Sequence, residues 1–242
     1  MAGNNAIAVL CIGSPDYYKL TRPSIEYYCK NHGIDFIELK DTSNISKMYK
    51  IPITDRHNFV WEKFQVFELA NSYDFVCSLD ADILIKREAD NIFDECRHRN
   101  FNAVLDGLRL SKNAVELFVD RFQCEENDIF YRKESYYNGG LFISDKYVLP
   151  LLKEGLRSMG GIKTKYNEQD YISFYTNMLK IPVNVLNKKW NRHPVTFSFD
   201  KNGYRRAERI INDSNFLHFT GAKNKIQRIK FVMEHFRERY FV

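Results

Sequence analysis

The stretch from Phe75 to Ile85 is apolar almost throughout, yet it carries two aspartates two positions apart, Asp80 and Asp82. Its first part, Phe75 to Leu79, is short, apolar and preceded by the polar, turn-like Asn71-Ser72-Tyr73-Asp74. That combination predicts a buried strand. Burying a carboxylate costs several kcal/mol unless something compensates it, and two neighbouring carboxylates also repel each other. A divalent cation at the carboxyl end of the strand would answer both problems. That end is also where open α/β sheets hold their ligands. By itself the segment points to Mg²⁺- or Mn²⁺-dependent chemistry on a phosphorylated substrate.

The chain of 242 residues is long enough for one substantial core. Hydrophobic residues make up 44% and aromatics 15%, which excludes a disordered chain. The net charge of +5 suits anionic phosphates but is too small an excess to argue for nucleic acid, and none is expected as a partner. Cys11, Cys29, Cys77, Cys96 and Cys124 are odd in number and widely spaced, without a CxxC pair. They predict neither a zinc site nor a disulfide framework, and they favour a reducing, cytoplasmic setting. No stretch is long and apolar enough to predict a membrane span, and no repeat or linker is apparent.

Along the chain, Ala6 to Ile12 reads as a buried strand ended by Gly13-Ser14-Pro15-Asp16. A helix follows with Leu20, Ile25, Tyr28 and Cys29 at helical intervals, then Asn31-His32-Gly33 and a second strand from Ile34 to Leu39. A helix from about Phe59 to Ala70 leads into the aspartate strand. Later come a short strand at Ala103 to Leu105 and the segment Tyr136 to Ser144. Helices are expected at Val148 to Met159 and Glu168 to Met178, and strands at Pro182 to Leu186 and Phe216 to Phe219. A basic amphipathic helix from about Asn224 to Tyr240 closes the chain. Strands alternating with helices predict a single α/β domain over residues 1–242.

Several landmarks then fall into one order. Leu79-Asp80-Ala81-Asp82-Ile83-Leu84 resembles the aspartate motif of GT-A fold glycosyltransferases, especially family 8. Asn138-Gly139-Gly140-Leu141-Phe142 resembles that family's loop beneath the donor sugar, and Glu168-Gln169-Asp170 its segment near the anomeric carbon. Leu186 with Trp190-Asn191, and His218-Phe219-Thr220-Gly221, resemble the two motifs that follow. Together the pieces run from residue 6 to about 225. There are two departures. The family usually has a lysine three residues after the last glycine; here that position is Asn224, between Lys223 and Lys225. The first acid of the anomeric-carbon segment is Glu168, one methylene longer than the family's aspartate.

The resemblance implies a Rossmann-like mixed central sheet flanked by helices, in a single GT-A domain. Its nucleotide-binding part would cover about 1–85, its sugar and acceptor part about 100–222, and its terminal helix about 224–240. Asp82 and His218 would ligate the metal, with Asp80 at the ribose or the metal shell. An oxygen and a nitrogen ligand suit Mn²⁺ better than Mg²⁺. Lys223 or Lys225 would neutralise the leaving diphosphate, while Glu168, Gln169 and Asp170 would line the reaction centre. Ile12, Gly13, Tyr17, Lys63, Ala81, Asn138, Gly139, Gly140 and Gly221 would meet the donor.

Blander readings stand beside these: His218 as a structural histidine, the Gly139-Gly140 pair as a turn, Tyr17 as packing, Lys63 as a solvated helical lysine. The implied activity is transfer of a hexose from a nucleotide sugar, expected to be a UDP-sugar, to a glycan or lipid-linked hydroxyl, with retention. The terminal helix either packs on the domain or touches an anionic membrane peripherally. The competing functions are a catalytically silent sugar-nucleotide or glycan-binding module and a sugar-phosphate nucleotidyltransferase. The latter would need a glycine-rich basic loop after the first strand, where only Gly13-Ser14-Pro15-Asp16 stands.

Overall fold

Strand β1 (Asn5–Leu10) is buried from Ala6 to Val9, which places it inside the sheet rather than at an edge. The computed structural model describes residues 3–42, 45, 56–108, 110, 112–123, 135–158, 164, 166–193, 201–221 and 224–240. β1 lies between β2 (Asp35–Leu39) and β3 (Phe75–Asp80), parallel to both. β3 pairs antiparallel with β6 (Tyr137–Asp145), β6 antiparallel with β5 (Phe101–Leu105), and β5 parallel with β7 (Val183–Val185). The six strands run in the order β2-β1-β3-β6-β5-β7, a mixed sheet as expected. A second, two-stranded sheet joins β4 (Ile83–Ile85) to β8 (Phe216–His218).

The near-continuous apolar runs of the central strands follow from burial on both faces. Ala8, Val76 and Phe142 enter one core with Phe64, Phe118, Tyr171 and Phe174. Their neighbours Ile7, Val9, Cys77, Leu79, Leu141 and Ile143 enter the other, with Ile25, Tyr28, Trp190 and Phe216. Helix α1 (Asp16–His32) covers that second face and ends at Gly33, whose φ of 64° is the left-handed cap glycine adopts without strain. The other face is covered by α2 (Val66–Leu69), α3 (Lys112–Phe122), α4 (Leu149–Ser158) and α5 (Glu168–Met178).

Three expectations need correction. The helix expected from Phe59 to Ala70 is a 3₁₀ helix over Arg56–Gln65 followed by the single α turn of α2. The sequence there repeats every three residues: Trp61, Phe64 and Phe67 share one buried face, which suits three residues per turn. Gly139 and Gly140 form no turn; they lie within β6. The terminal helix is broken at Phe236 into α7 (Lys225–His235) and α8 (Arg237–Tyr240). The break lets Phe236 and Tyr240 join Ile229 and Val232 against Leu84, Leu217 and Phe219. This helix is therefore packed on the two-stranded sheet, although Ile226 stays 38% exposed. Two helices were not foreseen, α3 and α6 (Lys201–Asn212); the latter opens with the turn-like Lys201-Asn202-Gly203, which masks its helical pattern. Among the described residues, no helix is long and apolar enough to cross a membrane.

The first helix is tied to the outer strand by Glu38. Its carboxylate accepts from Tyr18 Oη at 2.7 Å and lies 2.9 Å from Lys40 Nζ and 3.2 Å from Arg22 Nε. Burial works against the charge, but Lys40, Tyr18 and Arg22 outweigh it and hold the group at about 2. A depressed carboxylate contributes stability that is complete above its unfolded value and lost as pH falls through the folded one. Glu38→Gln should therefore lower the urea midpoint at pH 7 and lose that deficit progressively between pH about 4.5 and 2. A deficit constant down to pH 2 would refute the ion-pair assignment.

Candidate active site

Asp80 is the last residue of β3, and Asp82 immediately precedes β4. Because β4 pairs antiparallel with β8, Ile83 lies opposite His218, and Phe219 N donates to Asp82 O at 3.1 Å. That pairing carries a histidine from far along the chain onto the two carboxylates. His218 Nε2 is 3.2 Å from Asp82 Oδ1 and 3.4 Å from Asp80 Oδ2. One ligand atom from each residue lies within 4.8 Å of the others. Among the described residues the buried Nε2 makes no hydrogen bond of good geometry, and a cation between the three groups would coordinate it. The donor set of two carboxylate oxygens and one imidazole nitrogen fits Mn²⁺.

The charges are also balanced by lysines, an outcome the spacing of the aspartates does not reveal. Lys63 is only 3% exposed and donates to Asp80 Oδ1 at 2.6 Å, Glu168 Oε1 at 3.1 Å and Gly139 O at 2.9 Å. It is thus a buried clamp, not a solvated helical lysine. Burial opposes its charge, but Asp80 and Glu168 outweigh that and raise its pKa. Lys225, the first residue of α7, reaches Asp82 Oδ2 at 2.5 Å and sits 4.5 Å from the centre of the Tyr17 ring. Asp80, Asp82 and Glu168 therefore face the ammonium groups of Lys63 and Lys225 as well as the His218 ring.

The titration shifts follow this arrangement. Burial disfavours the Asp82 carboxylate, yet His218 and Lys225 hold it well below the usual range. Asp80 is lowered too, with Lys63 overcoming its burial. Burial pushes Glu168 up, and the repulsion of Asp80 adds to that. His218 is pushed up to about 9, because Asp82 and Asp80 outweigh its burial. Burial, then the two aspartates, raise Tyr17 to about 12.

A cleft of about 340 Å³ opens above the cluster. It is lined by Asp80, Asn138, Gly140, Glu168, Gln169 and His218, together with Val60, Tyr166, Asn167 and Thr220. Glu168 and Gln169 enter it from the first turn of α5, behind Asn167, which is held at a left-handed φ of 39°. Gln169 accepts from Gly139 N at 3.0 Å and donates to Asp106 Oδ2 at 2.5 Å. Asp170 does not line the cleft: it is fully buried, accepting from Tyr136 Oη at 2.6 Å and Tyr166 N at 3.1 Å. Ile12 and Gly13 follow β1 at the same sheet edge, since Leu10 pairs with Asp80. Ala81 is buried, its carbonyl accepting from Thr21 Oγ1 at 2.6 Å. Gly221 is exposed at a φ of 61°, two residues beyond β8's partner Phe219. Lys223 and Cys124 lie outside the described residues.

Asp106 and His193 belong to this region although no motif marked them. Both line a neighbouring cavity of about 260 Å³ that shares Asn138 with the cleft. His193 is lowered to about 4 by burial and by the adjacent His218. Nothing in their local sequence distinguishes them; only the fold brings them here.

No family model matches this sequence, and no curated protein matches it. Solved structures do. A glycosyltransferase involved in the glycosylation of the major capsid of PBCV-1 superposes with a TM-score of 0.59 at 15% identity, over 95% of this chain and 100% of that one. The galactosyltransferase LgtC, in complex with donor and acceptor sugar analogues, gives 0.55 at 14% identity over 99% and 97%. The bifunctional glycosyltransferase WbbM in its apo form gives 0.56 at 15% identity, over 91% of this chain and 46% of that one. At these identities the likeness establishes the fold: the chain has the GT-A fold that its motifs resemble.

Gly140 is required by the histidine beside it, since a Cβ there would fall 2.1 Å from His218 Cε1. Gly140→Ala should displace the ring and weaken Mn²⁺ binding by about 10- to 100-fold, the effect typical of losing a ligand's support. Gly139→Ala, whose Cβ would approach only side-chain atoms at 3.2 Å and beyond, should weaken it less. Calorimetric titration of both variants with Mn²⁺ checks the ranking; equal affinities would contradict it.

Proposed function

We propose that this GT-A chain is a metal-dependent glycosyltransferase that moves a hexose from a nucleotide sugar, a UDP-sugar, to a hydroxyl of a glycan or lipid-linked acceptor. The observation that carries the proposal is the convergence of Asp80, Asp82 and His218 Nε2, with Asp80 and His218 lining a cleft that Glu168 and Gln169 also wall. Asp82, His218 and Asp80 would hold Mn²⁺, with Mg²⁺ the weaker fit to the nitrogen ligand. When bound, such a cation supplies Lewis-acid neutralisation of a leaving diphosphate.

The chain's own residues would do the rest. Lys225 lies over Tyr17 at the outer carboxylate, within reach of a diphosphate bound there, and is 25% exposed. It would add its charge where the leaving group develops negative charge. Tyr17 would offer its ring to the nucleobase, beside Ile12 and Gly13 at the same edge. Lys63 would act from below, holding Asp80 and Glu168 in place rather than touching the donor freely. Glu168, Gln169 and the Gly139 backbone would face the sugar. The fold neighbour LgtC was solved with donor and acceptor sugar analogues, which supports substrates of this class. Retention of anomeric configuration, the division into nucleotide and acceptor parts, a cytoplasmic site and peripheral membrane contact through α7 belong to the same proposal. No described carboxylate stands apart as an obvious nucleophile for retention.

The test is a hydrolysis screen over nucleotide sugars with and without Mn²⁺. One nucleotide sugar should be hydrolysed only with the metal, and Asp82→Ala should lower that rate about a hundredfold or more, the loss of several kcal/mol of charge stabilisation. Metal-dependent nucleotide binding without turnover of any donor would instead support the silent binding module. Undiminished hydrolysis by Asp82→Ala would sink the metal assignment.

A further inference from the structure

We infer that Asn138 and Asn191 form an amide relay that determines which nitrogen of His218 faces the metal position; the inference rests on the metal-site reading above. The argument starts from a donor whose direction cannot change. Gly140 N donates to Asn138 Oδ1 at 2.8 Å. Turning the Asn138 amide over would set its NH₂ against that N–H, so the oxygen must stay where it is. Asn191 Nδ2 donates to the same oxygen at 2.8 Å. Asn191 is therefore fixed as well, with its Oδ1 turned to His218 Nδ1 at 2.9 Å. An amide oxygen can only accept, so the ring's hydrogen is placed on Nδ1. The two aspartates favour a second proton on Nε2; a metal would displace that proton and take the neutral ring, whose lone pair is then left on Nε2, the nitrogen between Asp82 and Asp80.

Burial gives the relay its force. Asn138 and Asn191 are each 5% exposed and His218 1%, so water has little access to replace a lost bond. The far end closes on His193, whose Nε2 lies 3.3 Å from Asn138 Nδ2 and accepts from it. The backbone holds Asn191 in register: Arg192 N donates to Phe216 O at 3.0 Å, and His218 N donates to Arg192 O at 2.9 Å. The segment after Trp190 thus runs alongside β8, opposite the side taken by β4. One consequence touches Asn138 itself. Both lone pairs of its oxygen are engaged by Gly140 and Asn191, so it is a positioning residue rather than an acceptor for a sugar hydroxyl. Such outer partners of a ligating histidine fix its tautomer and orientation.

The experiment compares the native protein with Asn191→Leu, which is close in size but cannot accept, and Asn191→Asp, which can accept from His218 but cannot donate to Asn138. Mn²⁺ affinity is measured by electron paramagnetic resonance of the free ion. The ring state is read by ¹⁵N-histidine NMR with ¹¹³Cd²⁺ as the bound probe. Native protein should show cadmium coupling to Nε2 with the hydrogen on Nδ1. Asn191→Leu should bind Mn²⁺ about 10- to 100-fold more weakly, and Asn191→Asp, which keeps only the acceptor, should recover part of that loss. Native coupling through Nδ1 would overturn the relay without reference to any variant, which covers the case of a misfolded Asn191→Leu. Native-like Mn²⁺ affinity in Asn191→Leu would overturn the relay and leave the metal site standing. Absence of metal binding by the native protein would remove both.

Discussion

The antiparallel pairing of Ile83–Ile85 with Phe216–His218 is the constraint on which the site depends. Without it the two aspartates would close a buried strand with no nitrogen ligand near them. The pairing is secured by apolar packing: Ile83 and Ile85 enter the core under α1, and Leu84 enters the one under α7 and α8. Three residues facing alternately into two cores cannot slip by one position without turning every side chain over. His218 therefore lands beside Asp82 because of where leucine and isoleucine are buried, and its chemistry is a consequence of hydrophobic register.

The two lysines at the carboxylates are not equivalent. Lys63 has three acceptors around it and almost no contact with solvent. Removing it would leave Asp80 and Glu168 buried and uncompensated, the situation in which breaking an ion pair costs most. Lys225 has one carboxylate, lies over an aromatic ring and is 25% exposed. It can exchange its partner for another charge of the same sign as Asp82 at small cost in desolvation. The site thus combines a buried internal counter-ion with a partly exposed outer one.

Much of this was legible in the sequence because the relevant signals are local. β3 and its aspartates, α1 with its Gly33 cap, and α5 from Glu168 to Met178 follow from apolar runs, spacing and terminating residues. The tertiary facts were not. Asp170 sits in the same motif as Glu168 and Gln169, but one further step around α5 points it at Tyr136, away from the cleft. Gly139-Gly140 has the composition of a turn, yet β6 needs Gly140 inside a strand because His218 occupies the space of its side chain. Lys63 could be read either as a solvated helical lysine or as one reaching the donor; only the fold shows it buried against Asp80 and Glu168. Asp106 and His193 carry no local mark at all.

The same contrast explains why the aspartate pair was ambiguous when met alone. Its burial demanded positive charge, and the sequence argument assigned that demand to a metal. The structure divides it: Lys63 faces Asp80, Lys225 faces Asp82, and His218 Nε2 lies against both aspartates. A backbone amide, two asparagines and a glycine constrain one imidazole so that its Nε2 edge meets both carboxylates. Fixing that nitrogen so closely sets a buried point at which an imidazole nitrogen and two carboxylate oxygens converge.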